Sequence, residues 1–456
     1  LSGANSNNLH TSDMRAVRRK INLLLFVILL CQACQEGTEL PPLEPQYPYP
    51  EEFVSLSGQE VIARNRKGTG VFNGGFGSSI VAVPGEEGAF YLLTDRGPVV
   101  DAANPDEKVF IAKRFNPHIA KYKLAGDSMR MSLRISLNMP AGEASGIPNP
   151  PVNDVPGLGA TGEIALDTLG RVIEPDPNGI DPEGLAVARD GTFWVSEEYG
   201  PSLLHFSGGG QLLEKLTPFE ADSDAILLPR VFARRQAGRG LEGLTFTTDG
   251  KRLAAIMQAP LNNPNAAAGA GSQNTRILLI DPETGESVQY IYPMLNDGTL
   301  VCDIRAISNT SFLVLERDDK LPGDPADPAR YKHIYLVDIS EASDISDPEN
   351  GEAGKLVNGK TMEELSEAEL ASAGIKTVSK ELLVDLLKEF PDYPHDKPEG
   401  LALISSRKIA VINDDDYGIR SQAPADGSYV PKILPLSETI DRTMIYFIEL
   451  PSPILP

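Results

Sequence analysis

Three Glu-Gly-Leu triplets begin at Glu183, Glu242 and Glu399, and each opens an apolar run. Acids also close the runs that follow, at Glu197-Glu198 and at Asp414-Asp415-Asp416. A fourth copy starts at Asp303-Ile304-Arg305 and ends at Glu316-Arg317-Asp318-Asp319, and a weaker one ends at Thr94-Asp95-Arg96-Gly97. Carboxylates that converge must be neutralised, because like charges at close range raise one another's pKa. A hard cation such as Ca²⁺ does this with 6–8 oxygen ligands. Arginines do it too, and Arg96, Arg305 and Arg317 stand inside the repeats. Arginine together with a metal ion is a grip for phosphate. The residues therefore predict a site that grips a phosphate group. Glu197, Glu198, Arg96, Arg305 and Arg317 are the expected catalytic groups, with Glu197 as base. Asp95, Glu183, Glu242, Glu399 and Tyr199 are expected to touch substrate, and Asp181, Glu316, Asp318, Asp414 and Asp415 to hold Ca²⁺. The competing expectation for each acid is a turn cap that bonds backbone amides. Asp176 to Glu183, dense in oxygen ligands but without EF-hand spacing, reads first as a turn and only second as a calcium loop. Two other functions fit the same acids: a metal-dependent esterase or lactonase, and a non-catalytic module that captures a cationic or sugar ligand.

The elements that would position these groups are strand pairs. The clearest runs from Pro182 to Val187, turns at Asp190-Gly191, and returns from Phe193 to Glu197. Recurrence at intervals of tens of residues is the mark of a repeat architecture. Third and fourth strands follow several pairs, as at 202–206 with 211–216 and 276–280 with 287–291. Four antiparallel strands make a propeller blade. The fold expected is all-β: a single β-propeller of six blades, with five or seven as alternatives. A strand near Phe53 should pair with the last strand, 443–450, and so close the ring. In a blade the first strand starts, and the second ends, at the same face. All the acids should then surround one mouth of the central channel. Three insertions interrupt the pattern, at 140–180, 261–274 and 341–392. The last carries two capping boxes, Thr361 with Glu364 and Ser366 with Glu369. Val378, Leu382, Leu383, Leu386, Leu387 and Phe390 then fall at helix spacing, which predicts a helix packed on the propeller's side.

The remaining chain bounds location and partners. Residues 1–34 comprise upstream residues, a basic stretch from Met14 to Lys20, and an apolar run from Ile21 to Leu30. That run is shorter than the about 20 residues that span a bilayer and suits a signal peptide. Ala33-Cys34 predicts lipidation at Cys34, in a bacterial cell envelope. Residues 35–52 form a Pro-rich acidic tether, and 53–456 the propeller. The net charge of −23 argues against nucleic acid as a partner. The expected partner is a small phosphorylated substrate, with the protein a monomer that meets the membrane only through Cys34. Cys302 is the one cysteine beyond the leader, so no intrachain disulfide is expected there. No Gly-x-Ser-x-Gly elbow, Walker loop or Gly-x-Gly-x-x-Gly at a helix start occurs.

Asp-Pro-Glu-Gly-Leu, Trp-Val-Ser-Glu-Glu-Tyr-Gly-Pro, Leu-Glu-Gly-Leu-Thr, Thr-Asp-Arg-Gly-Pro and Lys-Pro-Glu-Gly-Leu together resemble the phytase-like family, described as "esterase-like activity of phytase". The resemblance covers roughly Gly70 to Leu450. It implies a β-propeller of secreted or lipid-anchored bacterial proteins with phosphoesterase or esterase activity.

Overall fold

The computed structural model describes residues 49–50, 52–154, 159–219, 225–296, 298–423 and 428–454. The leader, Cys34 and most of the tether lie outside them. Short apolar strands separated by Asp-Gly, Gly-Gly and Asn turns pair locally, because a turn returns the chain beside its own preceding strand. Five four-stranded antiparallel units result among the described residues. The first comprises Ser79–Ala82, Ala89–Leu93, His118–Ala125 and Ser128–Ser136, and the second Pro182–Val187, Phe193–Glu197, Ser202–Phe206 and Leu212–Leu216. The third comprises Leu241–Phe246, Leu253–Met257, Asn274–Ile280 and Ser287–Pro293. The fourth comprises Leu300–Ala306, Ser311–Arg317, Lys332–Asp338 and Ser379–Asp385. The fifth takes Pro398–Ser405, Lys408–Asn413 and Met444–Glu449 and completes itself with the N-terminal Phe53–Leu56. Phe53 stands opposite Tyr446, so the expected pairing of the two ends is present. The same strand pairs in parallel with the first unit through Ser55 and Ser128.

The first strand of each unit neighbours the first strands of two others, in the order one, two, three, four, five and back to one. The architecture is thus mostly β and propeller-like. The apolar cores lie between adjacent units. Trp194 and Leu203 of the second pack with Leu253 and Leu278 of the third, and Ile256 and Tyr292 of the third with Ile304 and Tyr335 of the fourth. The stretch between Leu93 and Pro182, long enough for one more unit, holds the outer strands of the first unit and other structure. Val99–Asp101 and Glu107–Phe110, from the connection between the second and third strands of the first unit, and Ile164–Leu166, from the 140–180 insertion, form a separate three-stranded sheet.

The insertion at 341–392 departs from its expected form. Both capping boxes are present, with Glu364 accepting from Thr361 N (2.9 Å) and Glu369 from Ser366 N (2.9 Å), but their helices are one or two turns long. The apolar stripe is not one helix. Ser379–Asp385 is the fourth strand of the fourth unit, and only Leu386–Glu389 is helical. In so short a stretch the helical and strand periods overlap. The ladder from His333↔Asp385 to Asp338↔Ser379 decides for the strand, because it pairs backbone groups that an isolated turn of helix would leave open.

Candidate functional site

Where the first strands begin, a cavity of about 450 Å³ gathers residues from several units. Asp95 and Arg96 come from the first, Asp181, Glu183 and Glu198 from the second, Arg317 from the fourth, and Glu399 and Asp414 from the fifth. The sequence pattern places these eight around one mouth, and the structure brings them together there. The cavity also takes Lys108 and Glu163 from the inserted sheet and its flank, together with Arg239, Gln258, Asp319, Lys397, Asp416 and Tyr417. Signals for some of these exist in the sequence. Lys397 directly precedes Pro398-Glu399, Arg239 comes two residues before Leu241-Glu242, and Asp319 extends the acidic run at Glu316. Lys108 and Glu163 lie in insertions outside the repeat, where no periodicity marks them.

Nine carboxylates and five cations line this cavity, and most are paired. Arg96 reaches Glu163 (2.8 Å) and Asp181 (3.4 Å). Arg317 reaches Glu399 (2.5 Å) and Asp319. Burial works against Asp319, yet Arg317 holds its carboxyl down at about 2. Lys397 pairs with Asp416 (2.6 Å) and lies 3.5 Å from Asp414. Lys432, behind the wall, also binds Asp416 (2.6 Å), and against burial the two lysines hold that acid well below its usual range. Asp95 accepts from the Tyr417 hydroxyl (2.6 Å) and from Gly97 N (2.8 Å), while burial pushes it up to about 6.

The second unit supplies the unbalanced part. Oxygens of Asp181, Glu183 and Glu198 lie within 4.8 Å of one another. Glu183 has no hydrogen bond or ion pair to any described side chain or amide. Burial, then Glu242, Asp181 and Glu198, push its pKa well above the carboxylate range. Asp181 is driven the same way by burial, against Arg96. Glu242 adjoins the group, accepting from Gln258 Nε2, and burial raises it as well.

Other expected site residues are placed elsewhere, as the turn-cap alternative anticipates. The Glu197 carboxylate accepts from Tyr199 N (2.8 Å), Gly200 N (2.9 Å) and the Ser202 hydroxyl (2.6 Å), so a base is not available there. Tyr199 is buried behind Arg96, with its hydroxyl on Gly146 O (2.5 Å). Glu316 sits between the third and fourth units, bound by Lys380 (2.5 Å), Tyr292 (2.9 Å) and Thr299 (2.5 Å). Asp318 takes Lys332 (2.7 Å) and the amides of Arg330 and Tyr331, and these hold it low against burial. Asp415 accepts from Gly75 N, Tyr417 N and Thr443 N, and burial pushes it up to about 6. None of these is a free metal ligand. Arg305 lies inward of the mouth, its guanidinium bonded to Asp303 and to main-chain carbonyls, and so does not face a substrate.

The family model described as "Phytase-like: Esterase-like activity of phytase" matches residues 72–417. The chain belongs to the phytase-like family. An "Uncharacterized secreted protein" of Arthroderma benhamiae is 28% identical over 248 residues, which cover 46% of this chain and 46% of that protein. The chain thus spans about half the length of the curated relative it matches. Among solved structures, a protein from Lactobacillus plantarum has a TM-score of 0.34 at 12% identity, covering 87% of this chain and 98% of that one. Virginiamycin B lyase from Staphylococcus aureus has a TM-score of 0.29 at 10% identity, covering 83% and 97%.

Proposed function

We propose that this phytase-like chain is a metal-dependent ester hydrolase, working at the acidic mouth of a propeller whose five units are its blades. The observation that carries the reading is Glu183. It is a partly buried carboxylate without a donor among the described residues, set among Asp181, Glu198, Glu242 and Glu399. Such a group fits an oxygen-seeking cation such as Ca²⁺. Asp181, Glu183 and Glu198 would hold it. When bound, the ion supplies Lewis-acid polarisation of the ester oxygen and a more acidic water. Asp95, rather than Glu197, would serve as the base that takes a proton from water, because it lines the same cavity and burial pushes it up to about 6. Arg96 and Arg317 would orient an anionic ester and its developing charge.

A phosphate ester is the first substrate class. A specific observation favours the second, a carboxylic ester or lactone. Arg96 and Arg317 are already paired with carboxylates, and acids outnumber cations in the cavity, so a neutral ester disturbs fewer contacts. Metal analysis of the purified protein, with hydrolysis of p-nitrophenyl phosphate, p-nitrophenyl butyrate and a δ-lactone, tests both. Turnover that requires a divalent cation and stops with chelator supports the reading. Turnover unaffected by chelator overturns the metal's role. We further infer export and lipid anchoring at Cys34 in a bacterial envelope. The support is the basic and apolar leader and a matching relative described as secreted.

A further inference from the structure

The repeat that carries the glutamates also sets how closely the blades approach. A Cβ on Gly184 would overlap backbone atoms of Glu242 and Leu244 in the next blade, and one on Gly243 would overlap Ile304 N. A Cβ on Gly400 would lie 3.0 Å from Ile80 N, in the first blade. The glycine of each Glu-Gly-Leu therefore marks where the next first strand presses in. In the fourth blade the strand register puts Asp303 at that position. Asp303 faces Leu315 after a bulge following Val301, as Gly184 faces Ser196 after one following Pro182. Cys302 then stands where the second, third and fifth blades carry glutamate. Asp303 fills the space toward the fifth blade and accepts from Leu401 N (2.7 Å).

Two residues on, Arg305 is 7% exposed and bonds in four directions. Nε donates to Leu401 O (2.8 Å), Nη1 to Leu185 O (3.3 Å) and Leu244 O (3.4 Å), and Nη2 to Asp303 (2.9 Å). Those three carbonyls belong to the leucines of the three Glu-Gly-Leu triplets. The third and fifth blades flank the fourth, but the second lies across the ring. A guanidinium that reaches all of them sits on the axis.

We propose that Arg305 is a positioning residue that seals the axial channel beneath the mouth. It fixes the spacing of the strands bearing Glu183, Glu242 and Glu399, and so sets the mouth's affinity for cations. This second role rests on the metal reading above, whereas the seal does not. A neutral side chain cannot satisfy three carbonyls, and a lysine's single ammonium lacks the fork that spans them.

Arg305→Met and Arg305→Lys are prepared in the full chain, and two quantities are read. The first is the native-state rate of N-ethylmaleimide labelling of Cys302, located by peptide mass spectrometry. The second is affinity for Tb³⁺ used as a probe for Ca²⁺. Arg305→Met is expected to label at least about tenfold faster and to bind Tb³⁺ at least about tenfold more weakly, with Arg305→Lys between it and the wild type. If the Met variant fails to fold, the Lys variant carries both readouts. Unchanged labelling in a folded variant overturns the seal. Faster labelling with unchanged Tb³⁺ affinity overturns the positioning role. A wild-type protein that binds no Tb³⁺ refutes the metal reading and with it the positioning role, while the labelling result still decides the seal.

Discussion

Replacing Glu183 by Gln is expected to change stability with opposite signs in the absence and presence of cation. At an effective dielectric of about 20, two unit charges about 4.8 Å apart repel by roughly 3 kcal/mol. Glu183 has two such neighbours, Asp181 and Glu198. In the metal-free protein this repulsion is limited by protonation. Holding a carboxyl of ordinary pKa near 4.3 protonated at pH 7 costs at most about 3.7 kcal/mol, at 1.36 kcal/mol per pH unit. The cavity is open to water, which screens the charge, and the glutamine amide carries its own burial cost. A net stabilisation of about 2 kcal/mol remains for Glu183→Gln. The pH dependence follows from the raised folded-state pKa of Glu183, which burial and its acidic neighbours cause. A carboxyl raised on folding contributes stability below its unfolded pKa and loses it as pH rises through the folded value. The variant's advantage should therefore be absent near pH 4 and grow toward neutrality. With Ca²⁺ at about 100 times its Kd, the wild type gains about 2.7 kcal/mol that the variant lacks, and the order reverses. Urea denaturation at pH 4 and pH 7, in EDTA and in Ca²⁺, measures all four cases. A variant less stable than wild type in EDTA at pH 7, or an order unaffected by Ca²⁺, would refute the reasoning.

Glu316→Gln should leave Lys380 without its carboxylate between the rings of Tyr292 and Tyr335, at a cost of about 3 kcal/mol, without changing Tb³⁺ affinity. Weakened Tb³⁺ binding would restore Glu316 as a ligand. Gly243→Ala should destabilise by about 3 kcal/mol or prevent folding, because the obstructing atoms are backbone. Gly209→Ala is the tolerant control in the same chemical denaturation series, since Gly209 is exposed and an added Cβ would come no closer than 3.8 Å to Ser207 Oγ. Cys34→Ala should move the protein from the detergent phase to the aqueous phase on Triton X-114 partition, and unchanged partition and N-terminal peptide mass would exclude the anchor.

The repeat makes the strands legible because it joins two constraints in three residues. A glycine is needed where one first strand presses on the next, and the residue before it stands at the start of that strand. Glu183, Glu242 and Glu399 can therefore be placed near one mouth without coordinates. The fourth copy is displaced by one position. Asp303 looks like the missing acid, yet the bulge after Val301 puts Cys302 in the glutamate's place and Asp303 in the glycine's. A bulge shifts register without changing composition, so a single sequence does not reveal it.

The same limit explains why acids adjacent in sequence separate in role. Glu197 is the last residue of the strand Phe193–Glu197 and Glu198 the first of the turn that follows, so their side chains leave the chain in different settings. Glu198 enters the cavity, while Glu197 turns back to bind the amides of Tyr199 and Gly200. Asp414 and Asp415 divide similarly, with Asp414 in the cavity wall and Asp415 holding three amides. In each pair one carboxylate builds the turn that presents the other. A dense acidic run at a strand end is therefore partly scaffold, and counting its carboxylates overstates the ligands available to a cation. Arg305 shows the same division among the arginines. Its type and spacing suggest a grip on substrate, but its carbonyl partners commit it to the axis, while Arg96 and Arg317 remain at the cavity wall. What decides the role of each charged group is which backbone atoms are left unpaired beside it once the strands have closed.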